Sequence, residues 1–423
     1  MSRDRITKTT AMRKPALPHA LMRAALLGMG LLAPVTAPRC QDLGFHGYAD
    51  ARILDGPSER SWIEGGFGKL RGGAGGAPVQ FAGAVQAVAQ LSPAVLATGT
   101  LQWDQQDGSG LEVQEAYLRY RPVSTTPNRW SLRLGSFFPP LSLENDGPGW
   151  TSPYTLTPSA INSWVGEEVR TTGIDWRVEH RMHGGFWAGG VGAFIGNDPA
   201  GELMAARGWS LSDRVYGLNA LIREPDAAAR DAPPPRRFDP FVEVDDRVGF
   251  FLHASAHGRG GGSLRLLYYD NRADPSSSYT ERGHRIFSWH TRFGGLGADL
   301  FRDEWRWMAQ LMYGDTEFEP SEQFYSTTRF WSGYLLCARE YGRWRPAVRL
   351  DVFGTDEQPS NDSPAQNEHG RALTLALNWR PQPDWRLSAE WLAVDSSRTS
   401  RRELGFGERQ RDYQVQLSVR RLF

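Results

Sequence analysis

The chain ends in RDYQVQLSVRRLF, residues 411–423, and this stretch decides the fold. Tyr413, Val415, Leu417 and Val419 form one face, and Asp412, Gln414, Gln416, Ser418 and Arg420 form the other. A repeat of two is the period of a β-strand, so one side of this segment meets something apolar and the other meets water.

Composition narrows what the apolar side can be. Mean hydropathy is −0.48, and beyond the N-terminus no run approaches the roughly 20 apolar residues of a spanning helix. Yet 16 Trp, 13 Tyr, 20 Phe and 46 Gly are many for so polar a chain of 423 residues, and helical periodicity is nearly absent.

Instead, segments of about ten to thirteen residues with the terminal pattern recur, the length a tilted strand needs to cross a bilayer. They are 43–54, 61–73, 78–90, 94–104, 112–121, 129–138, 169–180, 185–196, 248–258, 262–271, 284–293, 304–314, 328–340, 345–354, 371–380, 385–394 and the terminal strand. In EWRWMAQLMYG (304–314) one face reads Trp305, Trp307, Ala309, Leu311 and Tyr313, aromatic at both ends as at a membrane interface. Arginine at the lipid-facing midplane would cost about 2–4 kcal/mol, and Arg133, Arg177, Arg292, Arg306, Arg349 and Arg386 all read onto polar faces. Arg421 falls on the apolar face two residues from the end, where it can snorkel to the interface.

These patterns predict an all-β, transmembrane antiparallel β-barrel in the bacterial outer membrane, since an open sheet edge cannot exist in hydrocarbon. Tight turns at 181–185, 257–261, 301–304, 341–344 and 381–384 alternate with long polar stretches at 139–167, 197–247, 272–283, 315–327, 355–370 and 395–410. Short periplasmic turns and long external loops are the layout of such barrels. A periplasmic N-terminus requires an even strand number. Sixteen is favoured, with one weak N-terminal segment not a strand; eighteen results if 213–222 also crosses.

Residues 1–40 read as an export signal: a basic lead (Arg3, Arg5, Lys8, Arg13, Lys14), the apolar AALLGMGLLA (24–33), and cleavage expected near 37–40. Its loss takes seven basic residues and one acid from 48 of each, leaving 41 basic and 47 acidic. A mature barrel, 41–423, with that balance argues against nucleic acid as a partner. Two cysteines, Cys40 and Cys337, provide no disulfide framework and no thiolate metal site. No HExxH, GxSxG or Walker-type loop occurs, so neither an enzyme nor a cofactor or metal is expected. DQQDGSG (104–110) reads as a polar hairpin over a calcium loop, and His46, His253, His257 and His290 as mostly lumenal and solvated.

Residues 115–145, EAYLRYRPVSTTPNRWSLRLGSFFPPLSLEN, resemble the Gram-negative porins of the porin O and P (phosphate-selective) type: an EAY strand, a Pro-containing turn, a strand ending in LG.F and a P.S.EN segment leading into a loop. The resemblance implies a homotrimer of 16-stranded channels whose lumen carries Lys and Arg for anions. Here the mature part keeps a single lysine, Lys69, with arginines elsewhere.

The site residues follow from strand parity. Arg119, Arg133, Asp175, Arg177, Glu179, Arg292, Arg306, Arg349, Asp351 and Glu390 are expected to line the pore with interleaved signs, giving weak ion selectivity. PPLSLENDGPGWTSPYTLTPSAINSWVGEE (139–168), with five prolines, is too stiff and too apolar for a solvated tether. It reads either as a constriction loop presenting Glu144, Asp146, Trp150 and Trp164, or as an external cap or oligomer contact. A short helix after Pro199 could form a second plug. Function then reads as a passive diffusion channel for small hydrophilic solutes or ions. The alternative is a structural or adhesive barrel plugged by its loops, with 197–247 as its contact surface. Outer-membrane lipid and lipopolysaccharide would surround the barrel, and the terminal strand ending in Phe423 would be read by the barrel-assembly machinery.

Overall fold

The computed structural model describes residues 42–106, 110–225, 237–281 and 284–423. The leader read at 1–40 and part of the 104–110 hairpin lie outside the described residues. Sixteen antiparallel strands close into one barrel. The first eight are β1 (Asp42–Asp55), β2 (Val79–Ser92), β3 (Val95–Asp104), β4 (Glu112–Tyr120), β5 (Asn128–Phe137), β6 (Thr171–Met182), β7 (Gly185–Ile195) and β8 (Gly249–Gly258). The second eight are β9 (Ser263–Asp270), β10 (His290–Arg302), β11 (Trp305–Ser321), β12 (Phe324–Arg339), β13 (Trp344–Pro359), β14 (Glu368–Trp379), β15 (Trp385–Arg398) and β16 (Arg409–Leu422).

The terminal strand makes the seam. β16 pairs with β1 from Tyr48 opposite Leu422 to Asp55 opposite Val415. The ladder ends on Gly47, whose N–H donates to the Phe423 carbonyl at 2.9 Å while the Phe423 N–H donates back at 3.2 Å. A Cβ at Gly47 would lie 2.6 Å from the Phe423 ring, so the last side chain can lie over the seam only because position 47 is glycine. Every strand therefore has two partners and no edge is left open.

Strand parity holds around the wall. Trp305, Trp307, Leu311 and Tyr313 face outward, as do Leu375 and Leu377 on β14 and Tyr413 to Val419 on β16. Stacked Trp344 and Trp379, 5.5 Å apart, and stacked Trp305 and Trp307 mark the periplasmic rim. Arg421 sits at that rim, 2.7 Å from Asp384, where its charge stays in the interface.

Two segments settle the strand count at the favoured sixteen, and two others differ from the sequence reading. Residues 61–73 form no strand: Trp62–Glu64 make one 3-10 turn and the segment folds into the barrel, which yields sixteen. Residues 213–222 do not cross either, and the 196–248 excursion is a single loop carrying a two-residue ribbon, Ile222–Arg223 with Arg237–Phe238. The segment 284–293 splits between an external hairpin, Ser278–Glu281 with His284–Phe287, and the start of β10. Residues 315–327 are not a loop, because β11 and β12 stay paired out to Ser321 opposite Phe324. Alternating Thr316, Glu317, Ser326, Thr327 and Thr328 make a polar ribbon beyond the membrane. The expected tight turns are present, and at 303–304 Asp303 and Glu304 both have positive φ, 51° and 67°, as a type I′ hairpin turn needs.

Three external loops, 56–78, 138–170 and the described parts of 196–248, fold inward and pack two apolar clusters inside the barrel. Trp62, Trp164 and Trp209 are all fully buried there. Trp164 meets Phe293 at 5.4 Å and Phe330 at 5.1 Å. Leu141 and Leu143 lie over Gly295 and Gly297 of β10, where an added Cβ would stand 2.6 and 2.9 Å from their side chains. Those glycines make the room in which the loop lies flat on the wall.

Candidate solute pathway

The 138–170 loop is fastened to β13–β16 by several wall side chains, with Arg349 at their centre. Arg349 donates from Nε to Asp351 at 2.8 Å, from Nη1 to the Thr157 carbonyl at 2.6 Å, and from Nη2 to the Pro158 carbonyl at 2.9 Å. Glu144 stands 3.5 Å from Nη1 and accepts from the Ser159 N–H and from Asn162 Nδ2, both at 2.8 Å. Glu390 accepts from the backbone N–H groups of Leu156 (2.6 Å) and Thr157 (3.1 Å), and Arg386 donates to the Ser152 carbonyl at 3.0 Å. Ser159 then caps helix α1 (Ala160–Glu168), which carries Trp164 into the core. Trp164 Nε1 donates to Glu168, whose carboxyl is pushed up to about 7 by burial.

This geometry corrects part of the sequence reading. Glu144, Arg349, Asp351 and Glu390 do point inward, but all are sealed beneath the loop and none meets lumen water. Trp164 is a core residue, and Trp150 stacks on Phe138 at 4.1 Å. Arg292 is not lumenal. It stands opposite Asp270 and Asp315 on the outward face, 2.9 Å from Asp315 and 3.1 Å from Glu317, at the rim beyond the apolar band. His290 shares that outward face, 3.1 Å from Asp270. Its neighbour Phe293 takes the inward place and belongs to the aromatic core.

The remaining predicted residues do come together, on the opposite wall. Arg119, Arg133 and Asp175 stand directly opposite one another across β4, β5 and β6. Asp175 accepts from Arg133 at 3.1 Å and lies 2.9 Å from His253 Nε2. With Arg121, Arg129, Arg177 and Glu179 they line a cavity of about 190 Å³ in the periplasmic half of the lumen. Arg119, Arg121 and Arg129 make no ion pair among the described residues. Farther round, Arg306 grips Asp299 at 2.8 Å and Arg265 donates to the Ser142 carbonyl at 2.8 Å. Parity reasoning passed over Arg121, Arg129 and Arg265. The second and third were legible from the alternation of RWSLRLGSFF and GSLRLLYYDN.

Asp146, unlike Glu144, is exposed on the loop surface, where it lines a separate cavity with His46 and Gln86 and feels the charges of Arg306, Arg265 and Arg345. Confinement in the barrel raises its carboxyl above the ordinary range, against the pull of Arg306, Arg265 and Arg345. Its charge is therefore lost at a higher pH than an ordinary aspartate's. Asp146→Asn should shift the reversal potential toward anions at neutral pH and flatten the shift that wild type shows on acidification, both read in a salt gradient across a planar bilayer.

Above the vestibule, the inward loops pair with the wall. Arg71 holds Asp104 at 2.7 Å and Asp213 at 3.0 Å, Arg52 reaches Asp213 at 2.7 Å, and Lys69 pairs with Glu368. The helix expected after Pro199 exists as α2 (Glu202–Arg207), with Arg207 paired to Glu167. Asp198, Glu243 and Asp245 in the same loop come within 4.8 Å of one another, and burial together with Glu243 pushes Asp198 up to about 9.

No family model and no curated protein sequence matches the chain. Solved structures do. The outer membrane channel DcaP of Acinetobacter baumannii matches with a TM-score of 0.51 at 11% identity, covering 90% of this chain and 97% of that one. A loop L8 deletion mutant of OmpT, an outer membrane protein of Vibrio cholerae, matches with a TM-score of 0.50 at 9% identity, covering 90% and 99%. The chain is a sixteen-stranded outer-membrane barrel. At such identities the likeness is one of fold, and what the barrel conducts has to be argued from its own residues.

Proposed function

We propose that this outer-membrane barrel is a passive diffusion channel of low conductance for small hydrophilic solutes, with a preference for anions. The observation that carries the reading is the wall of Arg119, Arg121, Arg129, Arg133 and Arg177 lining the cavity in the periplasmic half of the lumen. Cations that made only structural pairs would be covered, as Arg349 is. The interleaving of signs expected from the sequence does not survive folding, because Glu144, Asp351 and Glu390 are covered and compensated. What faces water is Arg119, Arg121, Arg129, Arg133, Arg177, Arg265 and Arg306 against Asp146 and Glu179, while Asp175 and Asp299 are buried in pairs with Arg133 and Arg306. A low-dielectric wall focuses that excess on passing ions. The likeness of 115–145 to the porin O and P type, with arginine standing in for lysine, supports the same preference. A homotrimer, and recognition of Phe423 by the assembly machinery, belong to this reading and are open to cross-linking and to deletion of Phe423.

The second reading, a plugged structural barrel, is favoured by the packed interior around Trp62, Trp164 and Trp209. Planar-bilayer recording separates the two: discrete anion-selective steps support the channel, and a barrel that inserts without conducting supports the plug.

A further inference from the structure

The outward face of the barrel carries a second arginine group, unrelated to the lumen. Arg371 on β14, Asp395 on β15 and Arg411 on β16 stand in register across three adjacent strands. Arg409 completes the group, donating to both oxygens of Asp395 at 2.9 and 2.6 Å, while Arg371 and Arg411 each come to 3.5 Å from it. Three guanidinium groups thus share one carboxylate. Their side chains stay 74%, 58% and 68% exposed for Arg371, Arg409 and Arg411. The neighbouring acid Glu408 is held by Arg402 at 2.8 Å and adds nothing to the balance. Elsewhere on the same rim the signs are reversed: Arg292 and His290 are set among Asp270, Asp315 and Glu317.

The height of the group is fixed by the strand. The next outward row toward the membrane is Leu373, Ala393 and Tyr413, again in register. From Arg411 down to Arg421 at the periplasmic rim the outward face is Tyr413, Val415, Leu417 and Val419. Ten residues span about 33 Å of strand. At a tilt of roughly 35–45° that is about 23–27 Å of height, matching an apolar band of about 25 Å. The arginines therefore stand one residue step above the hydrocarbon, at headgroup level, at the end of the barrel that bears the long loops and so faces the outer leaflet.

We propose that Arg371, Arg409 and Arg411 form a binding site for a phosphate group of outer-leaflet lipopolysaccharide. An exposed pair such as Arg409 with Asp395 is screened by water and weak, so Asp395 orients the guanidinium groups without neutralising them. Two positive charges remain, and planar guanidinium forks match phosphate oxygens in bidentate fashion. Tyr413 and Leu373 just below would meet the acyl chains of the same lipid.

The test compares lipopolysaccharide retained per barrel after detergent extraction for wild type, the triple variant R371Q/R409Q/R411Q, and D395N. Heat-modifiable migration on gels confirms folding of each. The triple variant should retain at least about fivefold less, and the loss should fade with salt because exposed charges are screened. Asp395→Asn should retain as much as wild type or more, since it removes the competing anion. Dephosphorylated lipopolysaccharide should bind wild type no better than it binds the triple variant. Unchanged retention in a folded triple variant would overturn the proposal. So would D395N falling to the triple variant's level, which would make the row a structural ion pair, or millimolar inorganic phosphate displacing the lipid completely, which would make it a site for free anions. A folded triple variant that loses its oligomer while keeping its lipid would assign the row to a subunit contact and overturn it as well.

Discussion

Replacing Arg349 by methionine should release the 138–170 loop from the wall and raise single-channel conductance severalfold. Removing the arginine strands Glu144 and Asp351 in a site where both are fully buried, and breaking a buried pair by deleting one partner costs about 3–5 kcal/mol. The carbonyls of Thr157 and Pro158 lose their donor in the same stroke. The barrel ladder does not depend on Arg349, so the strands should remain closed while the loop detaches. Two readouts separate this from global unfolding: heat-modifiable migration should persist, and protease should now cut within 139–158. Adding E144Q and D351N to R349M removes the stranded charges and should restore much of the wild-type protection. Loss of the heat-modified form in R349M would show instead that the cluster is needed for the barrel itself.

The second large effect concerns the arginine wall. Changing Arg119, Arg129 and Arg177 together to glutamate moves six charges in a confined space and should invert selectivity from anions to cations. At about 4 Å and an effective dielectric near 20, a single charge pair is worth about 4 kcal/mol, so a change on this scale outweighs the remaining Arg121, Arg133, Arg265 and Arg306. The inversion should be largest in dilute salt, where the Debye length is about 30 Å at 0.01 M, and should shrink at 1 M, where it is about 3 Å. The same triple change to glutamine should bring the reversal potential near zero without inverting it.

Much of this was legible from alternation. Tyr413 to Val419 on β16 and Leu373 to Leu377 on β14 announce lipid on one side, and an even strand number together with 197–247 as one external excursion favours sixteen. Less visible was what fills the lumen. A polar side chain on an inward face reads the same whether it meets water, as Arg177 does, or a covering loop, as Arg349 does. A signal was present nonetheless: β10–β12 carry Phe293, Met308, Met312, Phe330 and Leu336 on their inward faces, opposite outward Leu296, Leu311 and Leu335. A strand apolar on both faces meets lipid on one side and protein on the other, never open water. The β10 register was hidden for a different reason. Its centre, GGLGAD, has little side chain to alternate, because Gly295 and Gly297 are there to admit Leu141 and Leu143. Arg292, at the near end of that blank stretch, was therefore assigned to the wrong face.

The central claim is that the barrel conducts through its arginine-lined vestibule, and the most direct test is the zero-current potential of wild-type channels in a tenfold potassium chloride gradient. The account predicts discrete, small conductance steps and a potential displaced toward the chloride equilibrium value, more strongly as the pH is lowered and Asp146 takes up a proton. Inserted barrels that never conduct, or a potential displaced toward potassium, would contradict it.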